Sequence, residues 1–502
     1  MSLAVVLAAR SAEDVWTRQL RSEQGRGSLA SALTANPALR PISDSVRLGR
    51  AYAGYHHRHG SDKALRFDPD RGRTLRQAGA EALMPVGKGA VWGSAAYDNG
   101  KHIDRELCLS SDYDDVYPYV NATLSGGDMR QEHYRFGGGW GGRVSPQWRL
   151  GATLSYDAGH AYRQVDPRPR NITGDLRLGF GAAFRVSRNY YLGADVTLRR
   201  YTQSNSVMFV SDMGRESVYH LTGLGTFYRR FTGLGDKMSY TGYEPGMGLQ
   251  FSRRTHQGAS LHVAGRYSRL HTRCVLTALN KLPMADIDQD AYSASLGWSD
   301  TRFGIRADLD GRVRHGNENI FGDATSNVYP KIGSEEMYTD TRTNLGLALS
   351  YRLRTSRSCL LVESSGTYLH RREQYDRNTR LLEADRFRTA LQLTGARLFG
   401  HGIFCSVSLR GACYFRASSE LVLPAYGSDT NASGPITDAL LRQQHDYYNA
   451  VSGAAQTVSV AWRTSKVLSD RYALGVAMDW SYLHSAAGTH FNQLTANIEF
   501  YF

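Results

Sequence analysis

The sequence predicts an all-β protein, a transmembrane antiparallel up-and-down β-barrel of about 20 strands, within roughly 18–22. Three observations carry that reading. Apolar and polar residues alternate with period two along much of the 502-residue chain. The connections between alternating stretches come in short and long forms. No run approaches the ~18 apolar residues that a membrane helix needs, whereas a barrel wall needs an apolar residue only at every second position.

The chain divides into three parts. Residues 1–12 hold the apolar run of residues 3–9 and then small residues around Ser11 and Ala12, which reads as the tail of a truncated signal peptide without its basic start. Residues 13–45 do not alternate and form an N-terminal segment expected in the lumen or the periplasm. Within it, residues 16–20 and 28–33 are predicted as short helices, and Asn36-Pro37-Ala38-Leu39 as a turn. Residues 46–502 form the barrel.

The barrel strands follow in order. Ile172, Leu176, Leu178 and Phe180 alternate with Asp175 and Arg177, and Leu192, Val196 and Leu198 with Asp195 and Arg199. Ile305, Ala307 and Leu309 alternate with Arg306, Asp308, Asp310 and Arg312, and Leu345, Leu347 and Leu349 with Gly346, Ala348, Ser350 and Arg352. Cys405, Val407 and Leu409 alternate with Ser406, Ser408 and Arg410, and Val458, Val460 and Trp462 with Ser459, Ala461 and Arg463. Val476, Met478 and Trp480 alternate with Ala477 and Asp479. The last strand places Leu494, Ala496, Ile498, Phe500 and Phe502 on one face and Gln493, Thr495, Asn497, Glu499 and Tyr501 on the other. Short turns are expected at 144–147, 186–189, 398–402 and 467–470, and long polar loops at 99–115, 201–216, 270–288, 314–340 and 417–454. That sorting of connections is the asymmetry of a membrane barrel, and Trp148, Trp298 and Trp462 sit near the short turns as an interfacial belt would.

The ending resembles the C-terminal assembly signal of Gram-negative outer-membrane proteins, with Ile498, Phe500 and Phe502 as its residues. The resemblance implies export to the bacterial outer membrane, contact with its lipid and lipopolysaccharide, and insertion by the barrel assembly machinery. The wider layout joins many strands, 30 tyrosines, a short N-terminal piece and a terminal Phe502. It resembles barrels of uncharacterised function in Bacteroidota that are associated with TonB-dependent receptors. That likeness implies a role in transport, as a conduit or as a subunit of a larger complex, with a TonB-dependent receptor or surface lipoprotein as partner. Asn36-Pro37-Ala38 is similar to the N-terminal hatch of the long-chain fatty-acid transporter family, which implies the alternative of a hydrophobic-compound transporter.

The formal charge is +13, and seven lysines among 60 basic residues leave the rest as arginine. Those arginines are spread over many strands, whereas a nucleic-acid footprint is localised, so no nucleic acid is expected as a partner. They line the predicted inner wall together with acids. Candidate lumen residues are Arg177, Arg199, Arg266, Arg306, Asp308, Arg312, Arg352, Arg410, Arg463, Asp479 and Glu499. Same-strand pairs are expected for Arg177 with Asp175, Arg199 with Asp195, and Arg306 and Arg312 with Asp308 and Asp310. Guanidinium–carboxylate pairs brace such a wall, and surplus arginine biases a conduit toward anions.

No catalytic residue, cofactor or metal is assigned, and the protein is expected to be non-enzymatic. His102 and His133 lie near Asp112, Asp114 and Asp115 without a nucleophile, and His57 and His59 share a strand face without further ligands. Five cysteines without a CxxC spacing suit neither a disulfide scaffold nor a zinc site. A second functional reading is a receptor or scaffold whose long loops bind a partner, with Tyr426, Tyr447 and Tyr448 as aromatic anchors.

Overall fold

The structure, a computed structural model, describes residues 15–25, 35–40, 47–60, 70–211, 215–233, 236–253, 259–324, 328–377, 379–427 and 434–502. The signal-like residues 1–12 and the helix expected at 28–33 lie outside the described residues.

In chain order the first strands are β1 (Leu48–Gly60), β2 (Gly72–Val86), β3 (Gly89–Arg105), β4 (Asn121–Ala122), β5 (Gly127–Arg143), β6 (Trp148–Tyr162) and β7 (Arg168–Ser187). Then come β8 (Tyr190–Met208), β9 (Tyr219–Gly223), β10 (Thr226–Phe227), β11 (Lys237–Arg253), β12 (Ser260–Leu276), β13 (Leu282–Ser299) and β14 (Phe303–Phe321). The last are β15 (Lys331–Arg354), β16 (Ser358–Tyr375), β17 (Arg380–Phe399), β18 (Ile403–Val422), β19 (Ala455–Ser469), β20 (Tyr472–Ser485) and β21 (His490–Tyr501). The described helices are α1 (Val15–Gly25), α2 (Tyr113–Val116) and α3 (Gly434–Ser452).

All strands except β4, β9 and β10 form one closed antiparallel barrel of 18 strands. Each pairs with its neighbours in the chain, and β21 returns to β1 from Arg50↔Tyr501 to Gly60↔Phe491. The terminal residue completes the seam: Gly49 N donates to Phe502 O at 2.9 Å, and Phe502 N donates to Gly49 O at 3.0 Å. Closure leaves no sheet edge, so every wall strand finds backbone partners on both sides, as hydrocarbon requires. The expectation of about 20 strands therefore becomes 18.

The strands are longer than a bilayer needs. They run from 12 residues in β21 to 24 in β15, against about 9–11 for a tilted crossing. The surplus explains why the sequence-predicted loops at 270–288 and 314–340 are mostly strand. On β12, Val263 and Tyr267 point outward and are 42 % and 40 % exposed, while Arg266 points inward. Further along, the sides exchange character. Leu270, Cys274 and Leu276 become the buried inward residues, and Arg269, His271 and Arg273 face out. The paired strand β13 mirrors this, with outward Asp286, Asp288 and Asp290 giving way to Tyr292, Leu296 and Trp298. On β15, outward Leu345, Leu347 and Leu349 are succeeded by Thr343, Thr341 and Thr339. The half of the barrel near the short turns is thus apolar outside, and the half near the long connections is polar outside and partly apolar inside. A contiguous belt of exposed Leu, Val and Phe is stable only against lipid.

The apolar interior of the upper half is filled by folded-in connections. Residues 106–126, carrying α2 and β4, form a small sheet with the β9–β10 hairpin, and α3 packs beside it. Leu107, Val116, Tyr119, Val120, Leu221, Phe231, Ile436 and Leu440 join wall residues Tyr201, Tyr240, Cys274 and Tyr338 in one buried cluster. The expected 417–454 loop is therefore a strand extension to Val422 followed by a plug helix. Tyr447 turns inward against Arg371, whereas Tyr426 stays 51 % exposed.

The other mouth holds the N-terminal segment. Val15 N donates to Asp470 O at 3.1 Å in a short turn, and Leu20 packs on Cys359, Leu398 and Phe404. Asn36 donates from Nδ2 to Ala194 O at 3.0 Å. Asn36-Pro37 seats this closely because the facing wall is glycine. A Cβ on Gly181 would lie 2.1 Å from Asn36 Oδ1, and one on Gly151 would lie 2.5 Å from the Pro37 carbonyl carbon.

Candidate functional site

Between the two plugs lies a chamber of about 680 Å³. Gln19 and Ser22 of α1 and Arg40 line it on one side, and Arg50, Glu81, Arg177, Arg199, Glu244, Arg266 and Arg463 on the wall. Most inward positions here are polar, with Leu48, Leu83, Trp92 and Phe404 among the exceptions, because the outward ones carry the lipid-facing apolar set and a strand can turn only alternate residues to each side.

Two charge networks brace this chamber. Glu499, fully buried, accepts from Arg50 at 2.8 Å, Arg463 at 2.9 Å and the Tyr501 hydroxyl at 2.5 Å, and Arg50 also reaches Glu81 at 2.8 Å. Across the lumen Arg199 donates to Asp175 at 2.9 Å, Asp115 at 2.8 Å and Glu244 at 3.2 Å. Asp115 belongs to the plug, so Arg199 ties plug to wall. The expected Arg177–Asp175 pair forms at 2.8 Å and Arg306–Asp308 at 2.7 Å. Two expected pairs do not form. Asp195 takes Arg266 from β12 at 2.6 Å in place of Arg199, and Arg312 reaches Asp340 on β15 at 3.4 Å in place of Asp308 and Asp310. Arg266 reaches Asp195 over Gly248 of β11, which lies opposite both and carries no side chain, and Asp340 sits diagonally across the ladder from Arg312.

The remaining candidates divide by face. Arg352 pairs across the ladder with Leu361, Arg410 with Gln392 and Ser459, and Asp479 with Ala461 and Thr495, all on the inward register. Ile498, Phe500 and Phe502 point outward and are 62 %, 38 % and 41 % exposed.

A second cavity of about 740 Å³ runs between the plug and the wall of β1–β3, β5 and β6. It gathers His102, His133, His160, Asp70, Asp112, Asp114 and Asp115. Four of these groups, His102, Asp70, Asp112 and Asp115, are committed to structure. His102 is held between Asp70 at 2.6 Å and Gln131 at 2.5 Å, and Tyr201 donates to Asp112 at 3.1 Å. Burial raises the Asp112 carboxyl above its ordinary range, and Asp115 adds to the rise. Burial would also raise Asp70, but the His102 hydrogen bond and Arg58 outweigh it and hold Asp70 low. Sequence reasoning placed Asp112, Asp114 and Asp115 in a long polar loop, whereas they face a cavity inside the barrel.

His57 and His59 lie on the outward register of β1, where His57 stacks on Tyr55. His370, Glu383 and Asp385 cluster on the outer face, with His370 Nδ1 2.7 Å from Asp385 and the Ser418 hydroxyl donating to Asp385 at 2.5 Å. This group was not foreseen, because β16 and β17 had to be paired before its members could be seen to meet. Cys405 and Cys413 are half-buried on the outward register of β18, while Cys108, Cys274 and Cys359 are buried.

The chain belongs to the family described as "Family of unknown function (DUF6850)", whose model matches residues 37–502. No curated protein matches it in sequence. Among solved structures it is similar to "Copper transporter OprC", with a TM-score of 0.43 and 10 % identity over 90 % of this chain and 80 % of that one. It is also similar to the siderophore receptor PiuA from Acinetobacter baumannii, with a TM-score of 0.39 and 8 % identity over 89 % and 81 % of the two chains. A third is "CymD monoaromatic hydrocarbon channel", with a TM-score of 0.34 and 9 % identity over 98 % and 97 %.

Proposed function

We propose that this member of the family is a gated conduit for polar solutes across the bacterial outer membrane, with the lumen as its pathway and the folded-in segments as its gate. The observation that carries the reading is the chamber of about 680 Å³, lined on one side by α1 and on its wall by Arg199, which also holds Asp115 of the plug. Its lining sets guanidinium–carboxylate pairs beside Leu83, Trp92 and Phe404, and the pairs offer a polar solute hydrogen bonds that an apolar one cannot use, which favours this reading over a hydrophobic-compound transporter. Arg177, Arg199, Arg266 and Arg463 are the proposed lining of the pathway. The outward apolar belt supports placement in a bilayer, and the polar upper wall supports projection beyond it, where a receptor or lipoprotein partner has access.

The gate reading follows from how the plugs are held. The extracellular plug is fixed by a handful of buried bonds, including Arg314 to the Tyr117 and Asp114 carbonyls at 2.7 and 2.8 Å, and Tyr117 to Glu373 at 2.6 Å. Such a set has two discrete arrangements, made or broken. Planar-bilayer recording tests the proposal. The full chain should pass little current at rest, and a variant lacking residues 1–46 with residues 106–124 replaced by a short flexible link should conduct steadily. If that doubly opened variant is silent, the conduit reading fails.

A further inference from the structure

The inner wall of β14–β18 carries a row of arginines that its acids do not balance. Arg312 lies directly opposite Arg342, Arg342 opposite Arg371, and Arg386 opposite Arg416. Directly opposed like charges on one face of a ladder are destabilising, so each such pair calls for a neutralising group. The first two pairs have one. Asp340 receives Arg312 at 3.4 Å, Arg342 at 2.9 Å and Arg371 at 3.4 Å, and Glu373 receives Arg371 at 2.7 Å. Asp310 lines the same hollow as Arg312 and Arg342.

The β17–β18 end has none. Arg386 and Arg388 flank the Tyr414 ring at 5.2 and 5.7 Å, and among the described residues no carboxylate contacts Arg386, Arg388 or Arg416. The nearest acid on β17, Asp385, lies on the opposite face and is engaged by His370 and Ser418. The Nε of Arg388 is buried without an acceptor. A tyrosine face compensates a guanidinium by only about 0.5–1 kcal/mol at an exposed site. The cluster also has a position a solute can reach. Arg416 is exposed on the inward register, and the inward residues of β17 and β18 below the cluster are small or polar, among them Ala412, Gln392, Arg410, Thr394 and Ser408.

We infer that Arg386, Arg388 and Arg416, gathered around Tyr414, form a binding site for a phosphate- or sulfate-type oxyanion carried on a polar solute. Two or three guanidinium forks converging from adjacent strands suit the tetrahedral oxygens of such a group, which accept paired N–H donors. The site names the class of solute the lumen takes, and so it rests on the reading of the lumen as a solute compartment.

Titration calorimetry on the full chain in detergent tests it with three probes on one scaffold: glucose 6-phosphate, glucose 6-sulfate and glucose. At least one charged probe should bind, weakening with salt, and glucose should not. Binding of the phosphate alone, or of the sulfate alone, supports the site and identifies the source. R386Q/R416Q should lose about tenfold or more in affinity, as expected for removing charged hydrogen bonds. It should also melt at a higher temperature than the wild type without ligand, because opposed charges are gone. R273Q, on the outer face of β12 beside Asp286, should bind like the wild type. Absence of binding by both anions, or equal binding by R386Q/R416Q and the wild type, overturns the inference. The measurement requires no passage through the barrel, so its failure is separate from a failure to conduct.

Discussion

Glu318→Gln is the most informative single perturbation of the gate. Glu318 sits near the upper end of β14, only 8 % exposed, with Tyr375 as a hydrogen-bond partner at 3.3 Å and its Oε1 without an acceptor or donor. Burial is the largest cause of its shift and pushes the carboxyl up to about 7. The Tyr375 bond opposes the rise, and Asp376 and Glu335 add to it. When the plug is open and Glu318 is solvated, its value returns to about 4.5. The closed state therefore binds the extra proton. Its contribution is fully present below about pH 4.5 and is lost as pH rises through about 7. Between about pH 5 and about pH 8 this amounts to roughly 2.5 kcal/mol, or about seventyfold in the opening equilibrium. Hydrogen exchange of the amides at residues 119–123 and 219–223, corrected for intrinsic rates, reads that equilibrium. Wild-type protection should fall about seventyfold over this range, and Glu318→Gln should flatten the fall. An equal pH slope in the two proteins would refute the reasoning.

Other perturbations test separate parts of the account. Gly181→Val drives a side chain into Asn36 and should free residues 35–40 from the wall, seen as faster proteolysis of the N-terminal segment with the barrel intact. Glu499→Ala strands Arg50 and Arg463 without their shared carboxylate and should destabilise the barrel by roughly 3 kcal/mol in urea unfolding. Leu347→Arg, on the lipid face, should cost about 2–4 kcal/mol, whereas Thr341→Arg six residues further along β15 should change stability by under about 1 kcal/mol.

The lower half of the barrel was legible because its alternation is simple. From Leu345 to Leu353, or from Leu494 to Phe502, every outward residue is apolar and the inward ones are polar or small, so period two alone finds the strand. The upper half was hidden by the reversal of that pattern. Past Tyr267 the apolar residues of β12 move to the inner face, and a continuing strand then reads as a loop because its phase has flipped. The plug was invisible for a different reason. Residues 106–126 have no periodicity, and Tyr119, Val120 and Phe231 form a core only with wall residues supplied by distant strands. Ion pairing was half legible. Arg177–Asp175 needs only local spacing, but Arg266–Asp195 and Arg312–Asp340 depend on which strands are neighbours and in what register. The arginine row around Tyr414 is of the same kind, since Arg386 and Arg416 are 30 positions apart in sequence and opposite in the sheet.

The level of the bilayer on the wall is the point from which lumen, gate and projecting rim all take their meaning. Depth-dependent fluorescence quenching measures it most directly. Single cysteines at Leu347 and Thr341, in a chain stripped of its five native cysteines, would carry the same fluorophore in lipid vesicles. The label at 347 should be quenched by doxyl groups on lipid tails and spared by aqueous iodide, and the label at 341 should show the reverse. If iodide quenches both equally and lipid-borne doxyl quenches neither, the apolar belt does not face a membrane.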